Sequence, residues 1–367
     1  MLVLNPHLAT SADTSFFMTV ENRMSLKKNG FLAFMFCAQA AMNVVAAQTV
    51  SIQPPAAVHS GALEAKSLND WLQRMHEASR NRTYIGTFVV SAGGQMQSAK
   101  IWHVCEAGQQ AERIETLTGV PRSTFRHNDK TVTFMPEQKL ARHERREVLG
   151  MFPELVQSPD NQIAEFYKLK AEGVDRIAGL ESDVVMLLPK DNLRFTYRIW
   201  TEQKKGLIVK LQTLDAEGKV LEQAAFSELQ LDAPVKIDKL LQMMGKADGY
   251  KVEQSALVKT TASAEGWTLK APVAGFKPVS CYKRPGSAGP AAPLADEPMQ
   301  WVFSDGLASV SLFVEPFERQ RHGKESSMSM GATHTLTRQL GNFWLTAMGE
   351  VPMATLKQFA SGLERKK

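Results

Sequence analysis

With 367 residues, 44% of them hydrophobic and 22% charged, the chain is long enough for two separate cores and too apolar for disorder to be its default. A formal charge of +5, from 43 basic and 38 acidic residues, is mild; it suggests tolerance for anionic surfaces and does not suggest a nucleic-acid binder.

The first segment reads as a leader. Met24-Ser25-Leu26-Lys27-Lys28 is a basic start, Phe31 to Val45 is mostly apolar, and Val45-Ala46-Ala47 before Gln48 fits a small-residue cleavage site. Gln39 and Asn43 interrupt a run already short for a membrane span, so residues 1–47 are expected to be a cleaved leader and secretory signal peptide. Its loss removes three basic and two acidic residues, and the charge falls from +5 to +4. Two cysteines remain, Cys105 and Cys281. An exported compartment permits a bond between them, although they are far apart and fall in different expected domains.

Residues 48–66, rich in Pro and Ala, are expected to be a loose arm. Ser67 then caps a helix whose Leu68, Trp71, Leu72, Met75 and Ala78 form an apolar stripe at helical spacing. Strands follow at Tyr84–Ser91, Gln95–Val104, Glu112–Leu117, Ser123–Arg126 and Thr131–Phe134, separated by Gly93-Gly94 and by His127-Asn128-Asp129-Lys130. A helix is expected near Asn161–Lys170, with Ile163, Phe166 and Tyr167 on one side. Short spacing of apolar runs and turns from Glu181 to Leu231 predicts a meander: Val184–Leu188, Arg194–Ile199, Leu207–Leu211 and Val220–Phe226.

So many sequential strands with two good helices predict an α+β fold. Its first domain (67–233) is a curved antiparallel sheet, a half-open barrel covered by helices. Residues 234–266 read as a linker about which two domains reorient, with one short helical piece at Ile237–Met244. Residues 267–367 read as a smaller α+β domain: a loop at 285–293, strands at Met299–Phe303 and Leu307–Val314, two more broken at Gly341-Asn342, and a closing helix from Met353 started by Pro352.

A half-open barrel too wide for its side chains leaves an apolar cavity for elongated ligands. The candidates to line it are Phe88, Ile101, Phe125, Phe134, Leu187, Phe195, Tyr197 and Leu211; filling a solid core is the plainer use of the same residues. Arg142, Arg145 and Arg146 are candidates for anionic lipid groups, because guanidinium forks match phosphate and carboxylate; a solvated strand edge is the plainer reading. Met151–Leu155, just after them, either gates a cavity or tucks into the core. No P-loop, dinucleotide fingerprint, nucleophile elbow, HExxH or CxxC is present. His59, His76, His103, His127, His143, His322 and His334 stand singly, so neither catalysis, a metal nor a cofactor is expected.

Several stretches resemble the RseB/MucB family of periplasmic regulators. In the first domain they are Asp175-Arg176-Ile177-Ala178-Gly179, Tyr197-Arg198-Ile199-Trp200 with Gly206-Leu207, and Val220-Leu221-Glu222-Gln223 with Phe226. In the second they are Trp301 to Ser311 and Gly349-Glu350-Val351-Pro352. The resemblance implies a first domain similar to the lipoprotein carriers LolA and LolB and a second that helps bind the periplasmic domain of a transmembrane anti-sigma factor. It further implies that binding shields that factor from the stress protease, and that lipopolysaccharide or lipoprotein acyl chains release it. A periplasmic lipid or lipoprotein carrier is the alternative, an exported hydrolase the weaker third reading, and homo-oligomerisation is left open.

Overall fold

The structure is a computed structural model and describes residues 68–145, 152, 163–254, 257–285 and 297–366. The expected leader, the arm, the Ser67 cap, Arg146 and most of the 285–293 loop lie outside them.

Helix α1 (Leu68–Asn81) is followed by six strands joined to their neighbours by short turns: β1 (Tyr84–Ala92), β2 (Gln95–Glu106), β3 (Gln109–Thr116), β4 (Ser123–His127), β5 (Lys130–Met135) and β6 (Leu140–Arg145). One turn of helix, α2 (Ile163–Phe166), precedes a second meander of β7 (Tyr167–Ile177), β8 (Leu180–Pro189), β9 (Thr196–Glu202), β10 (Ile208–Leu214) and β11 (Val220–Leu231). The β1–β11 pair, from Tyr84↔Leu231 to Ala92↔Glu222, stitches the two meanders together. With α3 (Ile237–Gly245) and β12 (Lys251–Gln254) added, the order is β12-β6-β5-β4-β3-β2-β1-β11-β10-β9-β8-β7. Register shifts at Thr87/Phe88, Ala171/Gly173 and Thr213/Leu214 mark bulges, which bend strands and curve a sheet. The ends do not join, so the barrel is half open.

The helix expected over Asn161–Lys170 ends at Phe166, and the chain is extended from Tyr167. Lys168-Leu169-Lys170-Ala171 alternates with period two, and pairing with β8 (Tyr167↔Pro189 to Ile177↔Leu180) outweighs the helical spacing of Ile163, Phe166 and Tyr167.

Both faces of this sheet carry a cover, the second only over β2 to β6. Strand alternation sends Phe88, Ile101, Ile114, Leu187, Ile199, Leu211 and Phe226 to one face, where α1 lays Trp71, Leu72 and Met75 over them. On β1, Gly86 is required by packing: a Cβ there would collide with the Phe226 ring. Val104 and Ala111 point to the other face and meet Ile237 and Leu240 of α3, while Phe125, Val132, Phe134 and Ala141 pack with Met243, Met244 and Tyr250. The stretch expected to be a linker is therefore largely fixed to the first sheet: α3 lies on it, and β12 pairs parallel to β6 from Lys251↔Leu140 to Gln254↔His143.

The chain enters the second sheet at β13 (Val258–Lys259), four residues past β12. After β14 (Trp267–Leu269) come β15 (Lys277–Lys283), β16 (Met299–Ser304), β17 (Ser309–Pro316), β18 (Ser326–Met330), β19 (Thr333–Leu340), β20 (Phe343–Gly349), α4 (Met353–Gly362) and β21 (Leu363–Arg365). The sheet order is β13-β15-β16-β17-β20-β19-β18, and β14 and β21 form a separate pair. Leu356, Phe359 and Ala360 of α4 close a core with Phe303, Val310, Leu312, Leu345 and Ala347.

Candidate functional site

Of the eight candidate cavity residues, Phe88, Ile101, Leu187, Tyr197 and Leu211 belong to the core under α1. Phe125 and Phe134 point the opposite way, under α3, where Phe134 meets Tyr250 edge-on at 5.1 Å. Phe195 faces His334 of the second sheet, 5.6 Å between ring centres. All eight are buried. They do not converge on one cavity, because alternation sorts residues into two faces without saying which strands share one, and here both faces carry an apolar cover.

The interior under α1 holds a further ring. Phe152, 3% exposed, sits between Phe88 at 5.6 Å and Phe226 at 5.1 Å. It comes from the apolar stretch read as either a gate or a tuck, and it is tucked. Two hollows of about 300 and 280 Å³ lie elsewhere, and none of the eight candidates lines either. The first is bounded by Val89, Met96, Arg176, Ile177, Lys210 and Ala225. The second is polar, with Arg80, His103, Glu112 and Arg126.

Of the three candidate arginines, one has a described side chain. Arg142 faces Glu253 of β12 at 3.6 Å, so its charge is met within the fold. Arg145 ends β6 with its side chain outside the described residues, and Arg146 lies wholly outside them. Cys105 and Cys281 are free thiols, so the bond that an exported compartment would permit is not formed. Cys105 lies on β2 opposite Gln110, whereas Cys281 is buried in the second core, where burial pushes its thiol up to about 11. Among the described residues no three His, Cys, Asp or Glu side chains gather as a metal site, and no helix is long and apolar enough to cross a membrane.

The most highly built polar constellation lies between the two sheets, and sequence reasoning missed it. Arg194, between β8 and β9, is buried and donates from Nε to Asp305 Oδ2 at 2.7 Å, from Nη1 to Asp191 Oδ2 at 2.5 Å and from Nη2 to the Ala274 carbonyl at 2.6 Å. Its guanidinium lies over Phe166 at 4.2 Å and Phe276 at 4.9 Å. Asp305, in the β16–β17 turn, also accepts from the backbone N–H groups of Leu307 (3.0 Å) and Ala308 (2.8 Å) and from the Tyr167 hydroxyl at 3.4 Å. Burial pushes the Asp305 carboxyl up, against the opposing pull of those N–H groups and Arg194.

Around this ion pair the two units exchange leucines. Leu307 of the second joins the first core, and Leu193 of the first joins the second, where its carbonyl accepts from Thr355 Oγ1 at 2.7 Å. Breaking a buried pair by removing one partner leaves an uncompensated charge, so this boundary strongly favours one arrangement of the two sheets. The only sequence signal was Arg194 at the start of an otherwise clean alternation; β9 begins after it, at Thr196.

Comparison with known proteins shows the family. A family model described as the MucB/RseB N-terminal domain matches residues 67–244, and one described as the MucB/RseB C-terminal domain matches residues 261–364. The chain is 28% identical over 314 residues to the sigma factor AlgU regulatory protein MucB of Pseudomonas aeruginosa, covering 82% of this chain and 91% of that protein. It is 24% identical over 302 residues to the sigma-E factor regulatory protein RseB of Haemophilus influenzae, covering 80% and 90%. A crystal structure of MucB in complex with MucA(peri) superposes with a TM-score of 0.63 at 25% identity, covering 82% of this chain and all of that one. With both of its domains matched in order, the chain belongs to the MucB/RseB family, whose characterised members regulate sigma factors.

Proposed function

We propose that this protein is a periplasmic regulator that binds the periplasmic part of a transmembrane anti-sigma factor and shields it from the stress protease. One observation carries the reading: the likeness to MucB seen with MucA(peri) extends over both domains and the whole length of that chain. The fixed boundary around Arg194 and Asp305 supports it, since a partner spanning two domains needs them held in one relation. The test is titration of the mature protein with the purified periplasmic part of the cell's own anti-sigma factor, followed by timed proteolysis of that part with and without the protein. Micromolar or tighter binding, corresponding to about 8 kcal/mol, together with slowed cleavage is expected. No binding overturns the reading.

Release by lipid is the second half of the proposal. Burying an acyl chain is worth about 0.8 kcal/mol per methylene, so about twelve carbons supply roughly 10 kcal/mol of gross driving force. The interior under α1 is the apolar space of suitable chemistry, and Phe152 occupies part of it. Re-exposing one such ring costs about 2–3 kcal/mol, well under the gain from the chain. The lipid releases the partner only to the extent that it prefers the partner-free state.

A further inference from the structure

Among the described residues the two sheets end in four unpaired edges, and three are guarded. Along β7 the charges Lys168, Lys170, Glu172 and Arg176 accompany a bulge at Ala171/Gly173. Strand β12 is four residues long and carries Lys251 and Glu253, and β13 is two residues long and ends in Lys259. Charges, bulges and shortness are the devices by which folded proteins keep an edge from pairing with another chain. The fourth edge, β18, is five residues long and has neither a charge nor a bulge. Its sequence, Ser326-Ser327-Met328-Ser329-Met330, contains no charge and no proline, and it pairs in unbroken register with β19 from Ser326↔Thr337 to Met330↔Thr333. Ser326 to Ser329 are exposed, Met328 to 57%.

An edge like this can be completed by main-chain hydrogen bonds from one added strand, with side-chain preference set by what flanks it. The space around β18 favours a single strand over a second copy of the whole protein. At its far end Met330 packs on Gly93, and Gly331 packs on Ala92, at the β1–β2 turn of the first sheet. A two-fold pairing of two β18 edges would have to fit two such bodies beside one another. At the near end the edge is flanked by charges of both signs. Glu315 and Glu318 are engaged with Arg321, Glu315 also with His322, and Glu325 accepts from the Gln339 backbone N–H at 3.0 Å. Lys324 and Arg338 are exposed with no carboxylate partner among the described residues.

We infer that β18 is a strand-addition site for an extended segment of the anti-sigma factor's periplasmic part, carrying an apolar side chain opposite Met328 and an acidic residue near Lys324 and Arg338. This rests on the function proposed above, and the experiment separates the two. The mature protein, its Met328→Lys variant and its Met328→Leu variant are titrated with the periplasmic part of the cell's own anti-sigma factor. Backbone amide exchange is followed in each free and bound form. The expected result is binding weakened tenfold or more by Met328→Lys, within twofold of the parent for Met328→Leu, and slowed exchange of amides within 326–330 on binding. Fold integrity is read from unchanged exchange in β16 and β17. If the parent does not bind, the proposed function fails with it. If the parent binds but exchange in 326–330 is unchanged, or Met328→Lys binds equally well, only the β18 site is overturned. A loss of self-association by Met328→Lys at unchanged partner affinity overturns it in favour of a homo-oligomer edge.

Discussion

Phe152 packs its ring against Phe88 and Phe226 in the core under α1. Truncating a buried Phe to Ala removes the transfer term and leaves a cavity, together about 3–5 kcal/mol. Phe152→Ala is therefore expected to lower the unfolding free energy by about 3 kcal/mol in urea. It should also raise affinity for a fluorescent twelve-carbon acyl probe by about tenfold or more, because the chain no longer has to expel a ring. Loss of stability without a gain in acyl affinity would place any lipid site elsewhere. The sequence marked Met151–Leu155 as apolar between turns, which is why Phe152 was legible as something to be buried. The facing of Phe125 and Phe134 was not legible. An aromatic ring on a strand is equally at home under α1 or under α3, and only the register Phe125↔Val132 and Phe134↔Ala141 fixes the side.

At the scale of elements, α3 and β12 behave as parts of the first sheet. Leu240 is 3% exposed against Val104 and Ala111, and Tyr250 closes over Phe134. A chain ending at Ala233 leaves those apolar faces bare, a contiguous patch of the kind that drives association. We expect such a chain, starting at Ser67, to aggregate or to unfold at markedly lower urea than one ending at Gln254, by light scattering and by denaturation. Equal behaviour would return residues 234–254 to the role of a linker. Their attachment was hard to read because β12 is short and polar and its partner β6 contains the charged run Arg142-His143-Glu144-Arg145. By contrast β8 to β11 announced themselves through alternation and tight turns. The same physics explains the failure at β7: Ile163, Phe166 and Tyr167 fit a helical face, and only the β7–β8 ladder, from another part of the chain, decides for strand.

At the scale of the molecule, the two sheets meet across groups that titrate. Glu350, just after β20, is half-buried; burial and then the Glu222 carboxylate of β11 push its own carboxyl up to about 7. An unfolded Glu titrates near 4.3, so between about 4.3 and 7 the folded chain holds a proton that the unfolded chain has released. Stability therefore falls as pH rises through that window and returns as pH falls. Discounted for partial exposure, the effect is on the order of 2 kcal/mol. Asp305, raised mainly by burial, acts with the same sign. His334 acts against it: burial lowers its pKa, so its contribution is present above about 6.5 and lost as pH falls. The net slope mixes the three, and a substitution isolates one. In urea unfolding at pH 4 and pH 8, Glu350→Gln is expected to be more stable than the parent at pH 8 and near it at pH 4. Parallel pH profiles for the two chains would mean that Glu350 is neither buried nor set against Glu222 in solution.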